Sequence, residues 1–294
     1  MKLLALSTIM TAHHIQNAID FPPFQVPVKL YHSKQVRAAL VLVPAMGMVA
    51  SFYQPFAEAM ADRGIAVLLA EIPGTGDSRP RPSRSLDYGY RDLVERYVPA
   101  VVDMARSQFP GVPLVLAGHS LGAQIGTLAT AQGLVEPDAL ITVAGGHIHY
   151  RNWSGAGAAK VLFGANLFGA LTYLFGHLPG QHVGFGGPQA RTLIRDWSRI
   201  IRTGSFSHVA DDKRFGNKAP MLCVGIEGDG FAPGKSVSAL AEILGGDVEI
   251  MQQTWKGNPH SSWARYPAET VGLIENWLDK NLSSRGAIML DHSE

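Results

Sequence analysis

The chain has 294 residues, 25 Lys and Arg against 24 Asp and Glu, and a formal net charge of +1 at pH 7. Its 46% hydrophobic content supplies a large core, its balanced charge offers no basic stripe to nucleic acid, and its one cysteine excludes an internal disulfide. Cys223 lies in the apolar run MLCVGI and reads as a core residue rather than a nucleophile.

The opening MKLLALSTIMTAHH carries one lysine, a short apolar run and no small-residue cleavage pattern. A first strand or a disordered leader is expected there, with a cytoplasmic location rather than export. The sequons at Asn152 and Asn281 would matter only in a secreted chain. AALVLVPAMG, 38–47, then predicts a buried strand ending in a turn, followed by a helix over 51–63. GIAVLLAEIPGTGDS predicts a second strand with a glycine-broken loop, and 86–108 a long helix. LVLAGHSLGAQIG is a strand that stops at a serine between two glycines and restarts as a helix; DALITVAGG is the next strand.

The rhythm breaks over 147–215, a segment rich in glycine and aromatics that ends in the helical run GPQARTLIRDWSRIIRTG. The strand pattern resumes at APMLCVGIEGDG, followed by a helix from 234, the strand DVEIMQQT and a last helix over 267–281. Alternating apolar runs and helices imply an α/β fold, a mostly parallel sheet covered on both faces. The organisation expected is a core of 1–146 and 216–294 with a helical cap over 147–215. Within that cap, 161–178 is uncharged and near the length of a membrane span, but it holds three glycines and sits between strands of one sheet. Cap helices are expected, with peripheral lipid contact through their surface left open.

Gly118, His119, Ser120, Leu121 and Gly122 spell G-x-S-x-G between a strand and a helix. This tight turn holds a serine hydroxyl above the carboxyl edge of the sheet, beside helix N-terminal amides that favour an oxyanion. A nucleophilic serine needs a base, and the base needs an acid to orient it. Asp229 follows the strand MLCVGIE and His260 the strand DVEIMQQT, so both fall at the strand ends where open α/β sheets place their sites. Glu227 rivals Asp229, which is also a plain turn former in its Asp-Gly pair. Among eleven histidines only His260 lies in the loop after the last strand; His147 and His149 form a weak metal pattern without partners nearby. The oxyanion donors expected are the backbone N–H groups of Met46 and Leu121. PGKS and GAGAAK imitate phosphate loops but lack the required glycines, so no cofactor is expected.

LVLVPAMGMVASFYQPFAEAMADRGIAVLLAEIPGTGDS, GHSLG, EGDGFAP and HSSWARYP together resemble the α/β-hydrolase superfamily, in particular capped bacterial serine hydrolases akin to serine aminopeptidase-like and monoacylglycerol-lipase-like proteins. The resemblance runs over 36–282 and implies Ser120 as nucleophile, Asp229 as acid, His260 as base, and a cap between the sixth and seventh strands. The chain departs from that pattern in carrying Pro44 and Ala45 where many relatives have His-Gly, and Pro73 and Gly74 where many have Arg-Gly. The expected activity is hydrolysis of a small apolar carboxylic ester through an acyl-enzyme. Thioester, amide or C–C cleavage, acyl transfer and ligand binding without turnover are the alternatives. Phe163, Phe168, Tyr173, Phe175, Phe185 and Trp197 suggest a greasy pocket under the cap, or plain packing of cap on core.

Overall fold

The computed structural model describes residues 17–210 and 219–289; the leader at 1–14 lies outside the described residues. In chain order, β1 (Asn17–Phe21) and β2 (Phe24–Tyr31) form a hairpin, and β3 (Ala38–Val43) leads through a 3₁₀ turn, Ala50–Tyr53, into α1 (Gln54–Ala61). After β4 (Ile65–Ala70), α2 (Tyr90–Asp92) runs through a π turn, Leu93–Tyr97, into α3 (Val98–Gln108). Then come β5 (Leu114–His119), α4 (Leu121–Ala131) and β6 (Ala139–Val143). The segment that follows holds α5 (Ala156–Phe175), β7 (His177–Pro179), β8 (Pro188–Ala190) and α6 (Arg191–Thr203). The chain returns to the core with β9 (Met221–Ile226), α7 (Gly234–Ala241), β10 (Asp247–Met251), α8 (Pro259–Ser262) and α9 (Ala268–Met289).

Eight strands make one sheet in the order β1-β2-β4-β3-β5-β6-β9-β10. The six strands from β4 to β10 run parallel, whereas β1 and β2 are antiparallel additions at one edge. Neither β1 nor β2 is marked by the sequence reading above: Pro22, Pro23 and Pro27 break the apolar pattern. Strands β3, β4, β5 and β9 are buried at every residue, as strands covered on both faces must be. Their alternate side chains feed two cores. Val41, Leu68 and Leu116 pack with Tyr97 and Ile125 on one face; Leu40, Leu69 and Val115 pack with Phe56 and Trp263 on the other.

The helix predicted over 86–108 starts only at Tyr90. Asp87 is drawn into the cap instead, accepting from Thr192 N (2.9 Å), Thr192 Oγ1 (2.7 Å) and Arg191 (3.1 Å), while Tyr88 O accepts from Leu193 N (2.9 Å). Those bonds hold 87–88 extended as a strap between core and cap.

Between β6 and β9, in the segment expected as a cap, the described residues form α5, α6, two 3₁₀ turns and a short two-stranded ribbon, all outside the main sheet. Helix α6 buries Leu193, Ile194, Ile200 and Ile201, and its Ser198 hydroxyl donates to Ala165 O of α5 (2.8 Å). Of the six aromatics read as a greasy pocket or as packing of cap on core, three do pack together: Phe168 stacks on Trp197 at 6.1 Å and meets Phe185 edge-on at 5.5 Å. Phe163, Tyr173 and Phe175 are instead 70%, 67% and 46% exposed. They lie on the outer faces of α5, which is apolar all round and has α6 on one side only.

Candidate active site

The strand order reverses direction about β3 and β5, which places a crevice outside the carboxyl ends of those two strands. Val43, the last residue of β3, pairs with Gly118, and His119 pairs with Val143 of β6. Ser120 follows at once. Its backbone takes φ +52°, ψ −109°, a conformation that costs a non-glycine residue about 1–3 kcal/mol and is kept only where its surroundings enforce it. The flanking glycines supply that enforcement. A Cβ on Gly118 would sit 2.4 Å from the Gly122 carbonyl oxygen, and one on Gly122 would sit 2.1 Å from Val43 O and 2.9 Å from Pro44 O. The turn after β5 and the loop after β3 are thus in backbone contact, and no side chain fits between them.

That contact brings the two expected oxyanion donors into one neighbourhood. Leu121 is the first residue of α4, so its N–H has no acceptor within its own helix. Met46 lies two residues beyond Pro44, in a turn closed by Met48 N–H to Ala45 O (3.1 Å) and 9% exposed. The turn tolerates Pro44 and Ala45 because it is fixed from outside: Ala45 N–H donates to the Tyr53 hydroxyl (2.9 Å).

Asp229 and His260 meet. Asp229 sits in the turn after β9, with its side chain fully buried, and its Oδ2 lies 2.8 Å from His260 Nδ1. The other oxygen, Oδ1, accepts from Phe231 N (2.8 Å) and Ala232 N (3.1 Å), so the carboxylate is satisfied and its direction set. Glu227, its rival, is exposed. His260 was expected in a loop but stands in the first turn of α8, whose Asn258 cap accepts from His260 N (3.0 Å). With Nδ1 turned to Asp229, the geometry gives that nitrogen the proton and leaves Nε2 as a base.

Three further residues were given no role of their own by the sequence. Tyr53, His119 and Trp263 are fully buried beside His260. His119 lies 4.8 Å from the His260 ring, and Trp263 meets His119 edge-on at 5.3 Å and donates from Nε1 to His260 O (3.2 Å). The Tyr53 hydroxyl is 2.7 Å from His119 Nδ1. Burial, with the His260 charge second, pushes His119 well below the ordinary histidine value, and burial likewise pushes Tyr53 up. Both stay neutral, and together with Ala45 N–H, which donates to the Tyr53 hydroxyl, they form a polar line from the β3 loop to the ring beside His260. The only advance sign of it was the position of His119 within G-x-S-x-G.

The remaining sequence candidates lie elsewhere. His147 and His149 line a cavity of about 780 Å³ with the far end of α4, and His147 packs on Phe206. Among the described residues no group of three His, Cys, Asp or Glu side chains could hold a metal ion. Cys223 is buried, and burial pushes its thiol up to about 11.

These elements define an α/β-hydrolase fold. The family described as "Serine aminopeptidase, S33" matches residues 34–165, from the approach to β3 to the first half of α5. A soluble variant of monoglyceride lipase from Saccharomyces cerevisiae, solved with a substrate analogue, is similar over 95% of this chain and 98% of its own at 15% identity, TM-score 0.67. A thermostable carboxyl esterase from Bacillus coagulans is similar over 90% and 98% at 14% identity, TM-score 0.62. Est1E from Butyrivibrio proteoclasticus, solved with ferulic acid, is similar over 91% and 99% at 16% identity, TM-score 0.60. No curated protein sequence matches the chain. At these identities the solved structures establish the fold, the α/β-hydrolase fold, and the chain carries it over nearly its whole length.

Proposed function

We propose that the protein is a serine hydrolase that cleaves a carboxylic ester with an apolar acyl or alcohol group. The observation that carries this reading is the 2.8 Å pair of His260 Nδ1 and buried Asp229 Oδ2, set at the strand ends beside the strained turn of Ser120. In this reading His260 Nε2 takes the Ser120 proton as Oγ attacks the ester carbonyl, and the carbonyl oxygen, now charged, is held by the amides of Met46 and Leu121. His260 returns the proton to the departing alcohol. It then deprotonates a water that attacks the acyl-enzyme, giving the acid and restoring the Ser120 hydroxyl. Asp229 stays ionised throughout and stabilises the imidazolium. No cofactor enters these steps.

The substrate class rests on the cap, where Phe168, Phe185 and Trp197 form an apolar cluster. Phe185 belongs to the loop that lies on Gly47, next to Met46. Named lipases and esterases among the similar structures support the same reading. The description of the matched family favours a second one, release of an N-terminal amino acid through the same triad.

Incubation with a fluorophosphonate followed by peptide mass spectrometry tests the nucleophile. Labelling confined to Ser120, absent in Ser120→Ala and strongly slowed in His260→Ala, is the expected result; a well-folded protein that takes no label overturns it. Turnover of p-nitrophenyl esters against aminoacyl-p-nitroanilides then separates ester from peptide cleavage.

A further inference from the structure

Helix α5 poses a packing problem. It has 20 residues, is long and apolar enough to cross a membrane, and is only 11% buried over its most apolar window. At 100° per residue Phe163, Leu167, Ala170 and Leu174 share one face. Phe163 and Leu174 are 70% and 68% exposed and Leu167 40%. The opposite face is occupied: Ala165 and Thr172 are buried, and Phe168 stacks on Trp197 of α6. An apolar stripe of this size facing water marks a surface that something covers.

The neighbouring helix indicates what. Along its outer face α6 presents Arg195, Arg199 and Arg202, all exposed, and they line a groove of about 540 Å³ against Tyr173 and Asn166 of α5. Arg195 is steered into this row by Tyr173, donating to its hydroxyl (2.9 Å) with the guanidinium 4.8 Å from the ring centre. Among the described residues Arg199 and Arg202 hold no ion pair. The one carboxylate in the groove is Asp196, and it is turned toward the core, accepting from Tyr90 N (3.0 Å).

We propose that this outer face of the cap docks on an anionic lipid bilayer, with Phe163, Leu167 and Leu174 entering the acyl boundary and Arg195, Arg199 and Arg202 meeting lipid phosphates. The arrangement is that of a helix lying in the interface plane, its apolar face down and cations alongside. Arginine suits the phosphate role because its planar fork pairs with two oxygens at once. A second copy of this chain would set two identical arginine rows near one another. A span is disfavoured because α5 is tied along its length to the rest of the chain: Ser198 of α6 holds Ala165 O, Arg84 from the core donates to Leu174 O (2.8 Å), and the β7–β8 ribbon follows directly. The proposal deepens the ester-hydrolase reading by giving its apolar substrate a source, but the docking itself needs no catalysis.

The test is sedimentation with sucrose-loaded vesicles of phosphatidylcholine alone or mixed with phosphatidylglycerol, using the full chain carrying Ser120→Ala so that lipid cleavage plays no part. Co-sedimentation with the anionic vesicles, weakened by salt, is expected. Arg199→Gln with Arg202→Gln should lower the partition by roughly fivefold per arginine, and Phe163→Ser with Leu174→Ser should abolish it, both with unchanged circular dichroism. Protein left in the supernatant with both vesicle types overturns the proposal. So does a dimer in solution that Phe163→Ser with Leu174→Ser dissociates, which assigns the face to a second copy. Binding that resists both salt and alkaline carbonate would assign α5 to a membrane span and overturn it as well.

Discussion

At the scale of single residues, the roles read from the site separate by chemistry. Asp229→Asn keeps the size of the side chain but lets an amide N–H face His260 Nδ1, favouring the wrong tautomer; kcat should fall about 10⁴-fold. Glu227→Gln, on an exposed side chain two residues before Asp229, should change kcat by less than about twofold, within the range of an ordinary surface substitution. Steady-state ester hydrolysis by the two variants decides between the carboxylates, and the reverse ranking would assign the acid to Glu227. Tyr53→Phe removes a hydroxyl that serves Ala45 N–H and His119 Nδ1 together. Two buried groups are then left without a partner, which should cost about 1–3 kcal/mol in denaturant unfolding. Because Ala45 adjoins Met46, kcat should drop more than KM rises. A variant that loses stability with unchanged kcat would make this line purely structural. That Ser120, Asp229 and His260 lie at the carboxyl edge of the sheet was legible because each comes soon after a strand, and chain order alone names that edge; that His260 would stand in a helix was not. Tyr53 and Trp263 were not legible, since a buried tyrosine or tryptophan in a helix or short turn has the same sequence pattern whether it packs on leucine or on histidine.

At the scale of elements, the central strands were legible because burial on both faces writes them as unbroken apolar runs, AALVLV and LVLAGH among them. The antiparallel strands β1 and β2 were not, since a single covered face alternates their side chains and leaves proline and lysine in β2. Residues 86–89 were misread because the pull of Thr192 and Arg191 on Asp87 comes from over 100 positions away and leaves no local trace. The same strap explains a pH effect. Tyr90 N–H, the residue after the strap, bonds Asp196 of α6. Burial, followed by the charges of Asp92 and Asp87, raises Asp196 to about 6, against the helpful Tyr90 N–H and Arg199. His208 lies 3.7 Å away, but burial and Arg199 lower its own value, so it brings no charge above neutrality. A carboxyl whose folded value is raised binds more protons folded than unfolded, so its contribution to stability falls as pH rises from about 4 to about 6. Asp196→Asn, which keeps an acceptor for Tyr90 N–H, should therefore match wild type at pH 4 and exceed it in Tm at pH 7. Equal Tm differences at both pH values would show that Asp196 ionises as it does in the unfolded chain.

At the scale of the whole molecule, the cap and the core meet at the turn after β3, which holds the proposed oxyanion donor Met46, and the meeting is between backbones. A Cβ on Gly186 would lie 2.1 Å from Gly47 O, and one on Gly47 2.8 Å from Gly186 N, so the cap loop rests directly on the residue after Met46. Gln189, fully buried below, pins that loop by donating from Nε2 to Gly187 O (3.0 Å). Two parts of the chain about 140 positions apart thus share one surface, and the position of the Met46 amide depends on where the cap sits. Gly186→Ala should push the loop off the turn. A displacement of about 1 Å at such a donor is worth on the order of 10²-fold in rate, so kcat for an apolar ester should fall by that order while the melting temperature changes little. Gly164→Ala is the matched control. It lies in α5 with no atom within 4 Å of its added Cβ and should leave kcat alone, gaining about 0.5–1 kcal/mol from helix propensity. If Gly186→Ala turns over esters like wild type, the cap loop is a cover over the turn rather than part of what positions it. A loss of rate confined to Gly186→Ala would make cap placement a condition of oxyanion geometry, so that any ligand or surface that moves the cap also sets the rate.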